Sequence, residues 1–174
     1  MKRFDVPMRW KIRAVIAALL LTLAVSEKRI EPLGDSFQIA LPVIALGCSV
    51  TNGKAADFLI RYVVQWGAVH TSKALLGDSA INRRPNGKIH GTPSGHMATA
   101  TFGASNLVHE CIAGQPLVQG VVILTAGFVG ASRIEAAQHF LWQVMLGVLV
   151  GWFADRSFRK RSPWGWLKRL LGKN

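Results

Sequence analysis

Three short polar motifs interrupt otherwise apolar stretches of this sequence. They are Arg84-Pro85, Pro93-Ser94-Gly95-His96 and Ser132-Arg133, the last followed after five residues by His139. Arginine offers a rigid fork of donors that matches a phosphate group, and histidine can act as a nucleophile, an acid or a base near neutral pH. Because each motif lies at the edge of an apolar stretch, this combination predicts phosphate-ester chemistry at a membrane surface.

The second motif predicts the start of a helix that binds an anion. Free backbone N–H groups and the positive end of the helix dipole favour an anion at that position, and Gly95 lets the backbone approach it closely. Ser94 can donate a hydrogen bond to phosphate, and His96 can protonate a leaving oxygen. Proline and serine before a helix are also ordinary capping residues, so this motif gains weight from the other two.

The first and third motifs are also ambiguous when taken alone. Pro85 fixes the backbone just after Arg84, although a loop arginine is usually just solvated. His139 can act as a nucleophile if its other ring nitrogen is oriented by an acceptor. On a helix, Glu135 and Gln143 lie four residues before and after His139, so either could orient the ring.

Six apolar stretches could position these motifs, and the polar loops between them are short. They run Ile12–Val25, Phe37–Val50, Phe58–Leu76, Met97–Ile112, Leu117–Ala131 and Phe140–Phe153. Most are shorter than the ~20 residues of an ideal transmembrane span, so buried helices of a soluble protein are the alternative. The stretches are apolar on all sides rather than striped, which favours an all-α polytopic membrane bundle of about six transmembrane helices.

Length and composition support one membrane-embedded domain over residues 1–174. The chain is 50% hydrophobic and 17% charged, whereas soluble domains carry roughly a quarter charged residues. A glycine-rich phosphate loop and a paired acidic cluster are both missing from the sequence, which disfavours nucleotide-dependent and two-metal mechanisms. Cys48 and Cys111 lie in apolar stretches, and we expect two buried free thiols rather than a disulfide.

The net charge of +12 is concentrated at the two ends of the chain. Twelve of the 21 basic residues lie before residue 14 or after residue 155. Basic tails that flank apolar segments fit the positive-inside rule and contact with anionic lipid better than nucleic-acid binding. With both tails inside, six helices place all three motifs on the outer side of the membrane.

Both ends have a second interpretation. Residues 1–30, a basic segment followed by an apolar run, also resemble a secretory signal, and five helices would remain after its cleavage. We favour an uncleaved first helix. Residues 156–174 combine tryptophan, leucine and basic side chains, which is typical of an amphipathic helix at the inner interface but also fits a disordered basic tail.

The three motifs resemble the signature motifs of the type 2 phosphatidic acid phosphatase superfamily. That pattern is K-x6-R-P, then P-S-G-H, then S-R-x5-H-x3-D. The second motif matches fully, and the third matches through Ser132, Arg133 and His139. The resemblance covers about Asp35 to Asp155 and implies a membrane phosphatase in the bacterial inner membrane, its active site facing the periplasm or exterior.

The sequence departs from this pattern at two positions. The position of the family lysine is occupied by Gly77. Either Lys73 or Lys88 could supply the missing positive charge. The family aspartate, which orients the nucleophilic histidine, falls at Gln143. An amide oxygen can orient the ring but brings no charge, and Glu135 is the alternative source of a carboxylate.

The resemblance also implies a mechanism without a metal or cofactor. The phosphate-binding groups would be Arg84, Ser94, the Gly95 N–H and Arg133, the last also counted as catalytic. His139 would attack phosphorus to form a phosphohistidine, and His96 would protonate the leaving oxygen. The expected substrate is a lipid phosphate or diphosphate. The alternatives are a lipid phosphotransferase that uses the same intermediate and a degenerate, non-catalytic lipid-binding protein.

Overall fold

The computed structural model describes residues 6–157, 159 and 169–171. This part of the chain is all-helical, without a strand, which confirms the all-α part of the predicted fold. The helices are α1 (Met8–Val25), α2 (Ile30–Thr51), α3 (Ala55–Leu76), α4 (Gly95–Asn106), α5 (Pro116–Glu135) and α6 (Leu141–Arg156). A 3-10 helix covers Ala80–Asn82, and a π-helical segment, Leu107–Cys111, continues α4. Most of the basic tail predicted over 156–174 lies outside the described residues.

Two of these helices are long and apolar enough to cross a membrane. They are α2 and α5, with mean hydropathies of 1.5 and 1.6 over their most apolar windows. These two helices therefore meet the requirements of a span by length and composition.

The short helix α4 lies at the centre and contacts α2, α3, α5 and α6. Its Phe102 is fully buried and packs edge-on against Phe58 of α3, with ring centroids 5.1 Å apart. Glycines let the backbones approach: a Cβ atom on Gly103 would lie 2.5 Å from the Pro42 nitrogen of α2. Close packing through small residues holds α4, and with it the segment 93–96, in a fixed position.

Large apolar side chains cover the outer faces of the helices. Examples with more than half of their surface exposed are Leu20, Leu21, Val43, Val63, Leu124 and Leu141. The side chains that face inward form a core around Phe102, Leu41 and Leu107. The described part of the molecule is therefore apolar both inside and on much of its exterior, an arrangement unusual for a monomeric soluble protein.

Polar contacts tie the helix ends opposite to the three motifs. Glu110 pairs with Lys54 and Arg159, each at 2.7 Å, and Arg159 also pairs with the buried Asp155 of α6. The side chain of Asn106 in α4 donates to Asp155 at 3.1 Å. These contacts link the loop before α3, the π-helical segment and the end of α6.

The expectation of two free thiols is wrong, because Cys48 and Cys111 form a disulfide. Cys48 lies near the end of α2, and Cys111 ends the π-helical segment after α4. Packing of α2 against α4 brings their Cα atoms to 5.8 Å, within the range of a disulfide. A separation of 63 residues gives no sign of this proximity in the sequence.

Candidate active site

The three motifs meet at one end of the bundle. The loop between α3 and α4 carries the first motif and leads into the second at the start of α4. The third motif ends α5, and His139 lies in the turn before α6. The side chain of Asn82 holds the loop in place: it donates to the Lys73 and Gly77 carbonyls and accepts from the Thr92 N–H.

Ser94 caps the N-terminus of α4. Its hydroxyl oxygen accepts a hydrogen bond from the Met97 N–H at 3.5 Å, and its own N–H donates to the Gln143 carbonyl at 3.0 Å. Gly147 of α6 packs so closely that a Cβ atom there would lie 2.6 Å from the Ser94 carbonyl oxygen. This contact fixes the helix N-terminus, whose free N–H groups and dipole favour an anion.

Arg133 lies at the C-terminal end of α5 with its side chain 4% exposed. Its Nη2 donates to the Glu31 carbonyl oxygen at 2.9 Å, and its Nη1 lies 3.0 Å from Asp35 Oδ1. The Arg133 carbonyl accepts from the His139 N–H at 3.2 Å. The same residue therefore directs a guanidinium into the site and fixes the turn that carries His139.

The ring of His139 is held by the amide of Gln143. Its Nδ1 lies 3.2 Å from Gln143 Oε1, which also accepts from the Phe140 N–H at 3.2 Å. The Gln143 Nε2 donates to the Arg83 carbonyl at 2.8 Å and to Thr92 Oγ1 at 3.2 Å. Since these bonds fix which end of the amide faces the ring, His139 Nδ1 carries the proton and Nε2 keeps its lone pair.

The ring of His139 is neutral at physiological pH. Burial, and after it the positive charge of Arg84, lowers the pKa of His139 to about 4. The hydrogen bond to Gln143, and after it one to the Gly91 backbone, act in the opposite direction. A neutral imidazole with a free Nε2 is the form that can attack phosphorus.

Arg84 reaches the same place from the loop. Its Nη1 donates to Gln138 Oε1 and its Nη2 to the His90 carbonyl, each at 3.2 Å. Burial, and after it the nearby Arg133 guanidinium, lowers the pKa of Arg84. Two guanidinium groups close enough to perturb each other favour an anion between them.

His96 lies in the first turn of α4, and its Nε2 is 3.2 Å from Asp35 Oδ1. The charges that act on its ring include those of Arg133, Arg84 and Lys73. Of these cations, Lys73 also lies beside the helix N-terminus, with its Nζ 3.7 Å from the position of a Cβ on Gly95. The site therefore combines two imidazoles, three cations and a capped helix start, which is a set suited to binding a phosphoryl group and transferring it.

The sequence model of the PAP2 superfamily matches residues 13–164. The chain belongs to the PAP2 superfamily. Members of this superfamily are generally phosphatases, so membership indicates a phosphatase activity on phosphate esters. No match was found among curated proteins or among solved structures.

The structure distinguishes between the alternatives at the two departures from the PAP2 pattern. Lys73 lies in the site, since its Nζ is 3.7 Å from the position of a Cβ on Gly95. Lys88 is exposed, and its backbone carbonyl accepts from the Arg84 N–H at 2.8 Å. Gln143 is the residue that contacts the His139 ring, whereas Glu135 is exposed.

Several residues around the PAP2 site carry no signal in the sequence motifs. Glu31 and Asp35 come from the start of α2, and Gln138 bridges Arg84 and Glu31 through its amide. Gly91 is needed for space, because a Cβ there would lie 2.5 Å from Gln143 Nε2. The helical spacing of Glu31 and Asp35, four residues apart, was the one available sign that they share a face.

Among the described residues of this PAP2 protein, no group of three or more histidine, cysteine, aspartate or glutamate side chains is placed to hold a metal ion. The cationic groups of the site are its arginines and Lys73.

Proposed function

We propose that the protein is a membrane phosphatase that hydrolyses a lipid phosphate or diphosphate through a phosphohistidine on His139. The observation that carries the proposal is the hydrogen bond between His139 Nδ1 and Gln143 Oε1, which places the lone pair of the ring on Nε2, while the charges of Arg84 and Lys73 act on the same ring. Covalent phosphoryl transfer requires a nucleophile, a partner that orients the nucleophile, and convergent anion-binding groups.

In the first step, His139 Nε2 attacks phosphorus, and the bond between phosphorus and the ester oxygen breaks. His96 gives its proton to that leaving oxygen. In the second step, water attacks the phosphohistidine while His96 takes a proton from it. The N–P bond then breaks, which releases inorganic phosphate and restores both histidines. Arg84, Arg133 and the N–H groups at the start of α4 stabilise the charge on the phosphoryl oxygens in both steps.

Two features support a lipid as the substrate. The outer faces of the helices expose many large apolar side chains, as expected for helices that contact lipid. A groove of ≈ 210 Å³ also lies on the surface between α2 and α3. It is lined by Gln38, Ile39, Pro42, Val43, Leu46, Phe58, Leu59, Tyr62 and Thr99. Gln38 and Thr99 each lie three residues, about one helical turn, beyond Asp35 and His96.

The distribution of charge supports a site at the outer face of the inner membrane. Among the described residues, Arg9, Lys11, Arg13, Arg156 and Arg159 lie at the start of α1 or at the end of α6. This end of the bundle is opposite to the site, and Lys11 donates there to Asn52 at the end of α2. Positive residues favour the cytoplasmic side. In this orientation the site and its lipid substrate face the periplasm.

The test is phosphate release by the purified, detergent-solubilised protein from a panel of lipid phosphates and diphosphates, with EDTA present. His139→Ala removes the nucleophile and should abolish release. His70→Ala is the matched control, because His70 lies outside the site, where it stacks on Trp66 with ring centroids 4.0 Å apart. Alkaline quenching of the wild type should also trap phosphate on His139.

Three results would overturn parts of this proposal. Substantial release by His139→Ala would refute the nucleophile. Phosphorylated lipid in place of free phosphate would indicate a transferase, since only the acceptor differs. A wild type that releases nothing from any lipid would favour the non-catalytic alternative, for which the uncharged Gln143 and Gly77 are the arguments in the sequence.

A further inference from the structure

Two carboxylates that no signature motif includes lie against the phosphate-binding groups. Asp35 Oδ1 is 3.0 Å from Arg133 Nη1 and 3.2 Å from His96 Nε2, so one oxygen contacts both groups. Glu31 Oε1 lies 3.6 Å from the same Arg133 nitrogen. Both residues lie in the first two turns of α2, four residues apart on one face.

The packing of α2 against α5 holds these carboxylates in place. A Cβ atom on Gly34 would collide with the Ser132 side chain, so α2 approaches the end of α5 as closely as a glycine allows. The Arg133 Nη2 also donates to the Glu31 carbonyl oxygen at 2.9 Å. The backbone of α2 is therefore attached to Arg133 independently of the two carboxylates.

The two carboxylate side chains are far more exposed than the guanidinium that they contact. The Arg133 side chain is 4% exposed, whereas those of Asp35 and Glu31 are 45% and 42% exposed. The Oδ1 of Asp35 differs from the rest of its side chain, because this oxygen is itself buried and has no hydrogen-bond partner. An oxygen that contacts both Arg133 and His96 also has the surroundings expected for an oxygen of the bound phosphoryl group.

We infer that Asp35, assisted by Glu31, is an internal competitor for the phosphate site that an incoming phosphoryl group must displace. This inference rests on the proposed function, because it takes Arg133 and His96 as phosphate-binding groups. When the binding-competent state is a minority, the apparent affinity is reduced by the fraction of molecules in that state. Displacement of Asp35 into solvent breaks no hydrogen bond of its Oδ1, and both carboxylate side chains are already 42–45% exposed.

The experiment compares the dissociation constant of inorganic phosphate for the wild type and for Asp35→Asn, by isothermal titration calorimetry of the full chain in detergent at pH 8. Asparagine keeps the size of the side chain and removes its charge. We expect Asp35→Asn to bind phosphate about tenfold more tightly, from the usual strength of a partly exposed ion pair and the loss of a like charge. Glu31→Gln should give a smaller gain, because its carboxylate is farther from Arg133.

Asp78→Asn is the matched control. Asp78 is an exposed carboxylate of the neighbouring loop that pairs with Arg83 at 3.2 Å, and its loss changes the net charge equally. The affinity of the Asp78→Asn protein for phosphate should stay within about twofold of that of the wild type. An equal gain in Asp78→Asn would mean that overall charge is responsible and would overturn the inference.

Two results for Asp35→Asn, with the thermal unfolding temperature preserved, would also overturn the inference. Unchanged phosphate binding would mean that the carboxylate does not compete with phosphate, and weaker binding would mean that it holds Arg133 and His96 in position. If Asp35→Asn unfolds at a lower temperature, Glu31→Gln decides by the same measurement. Binding needs no turnover. A protein that binds phosphate as expected but hydrolyses no ester would therefore refute the proposed function and still support the displaced carboxylate.

Discussion

Substitution of Gln143 by glutamate tests how the nucleophile is controlled. The side chain is fully buried, and its oxygen lies 3.2 Å from His139 Nδ1. Gln143→Glu keeps the length and shape of the side chain but places a negative charge beside the ring. That charge favours the protonated imidazole, so the pKa of His139 should rise.

The magnitude follows from the distance between the two groups. Two unit charges about 4 Å apart interact by about 4 kcal/mol at an effective dielectric constant of about 20. An opposite charge at this range usually shifts a pKa by about 1–3 units. The pKa of His139 should therefore move from about 4 in the wild type to between about 5 and about 7 in Gln143→Glu.

The sign of the effect on activity depends on which form of His139 attacks. In the proposed mechanism the neutral ring is the nucleophile, so kcat/KM should fall as the pH falls through the pKa of His139. The acid limb should lie near pH 4 in the wild type and about 1–3 pH units higher in Gln143→Glu. At pH values above the His139 pKa of both proteins, kcat should be higher for Gln143→Glu than for the wild type. The reason is that the carboxylate stabilises the positively charged ring that forms as nitrogen bonds to phosphorus.

Glutamate also loses both donated hydrogen bonds of the amide. The Arg83 carbonyl and Thr92 Oγ1 lose their donor at 2.8 and 3.2 Å. An unpaired buried polar group costs about 1–3 kcal/mol. Gln143→Glu should therefore unfold at a lower temperature than the wild type while its acid limb moves.

The assay is a profile of kcat/KM against pH, measured in detergent with the best substrate of the panel. Ionisation of the substrate is the same for both proteins, so their difference isolates the enzyme. Gln119→Glu is the control, because Gln119 donates to the Val108 and Ile112 carbonyls at the opposite end of the bundle. Coinciding acid limbs for Gln143→Glu and the wild type would refute the role given to either Gln143 or His139.

Two further predictions concern stability. Cys48→Ser removes the Cys48–Cys111 disulfide and so releases a loop of 63 residues. The chain-entropy relation converts this release to a loss of about 4 kcal/mol in the free energy of unfolding. Differential scanning calorimetry should therefore show a Tm about 10 °C lower, and an unchanged Tm would contradict the presence of the disulfide. Gly103→Ala places a Cβ against the α2 backbone and should destabilise the bundle by about 1–3 kcal/mol. Gly127→Ala, with no neighbouring atom within 4 Å, should be neutral or stabilise by up to about 1 kcal/mol, and equal losses in both variants would argue against close packing of α2 on α4.

The sequence was sufficient for the helices, because their signal is local. Each predicted apolar stretch corresponds to one helix, with differences at the ends. The prediction for the second helix began at Phe37, whereas α2 begins at Ile30. Its first turns contain Glu31 and Asp35, polar residues that a search for apolar runs leaves out. Those turns are polar because they face the site.

The sequence by itself determined which residue types could bind and transfer a phosphoryl group, since Arg84, His96, Arg133 and His139 lie in short motifs whose order and spacing are readable along the chain. Only the tertiary structure decided which partners surround them. The contact of Asp35 with Arg133 joins positions 35 and 133, and the disulfide joins two helices 63 residues apart. Such contacts depend on how α2 packs against α4 and α5, and that packing is set by side-chain shape at many positions at once rather than by any local pattern.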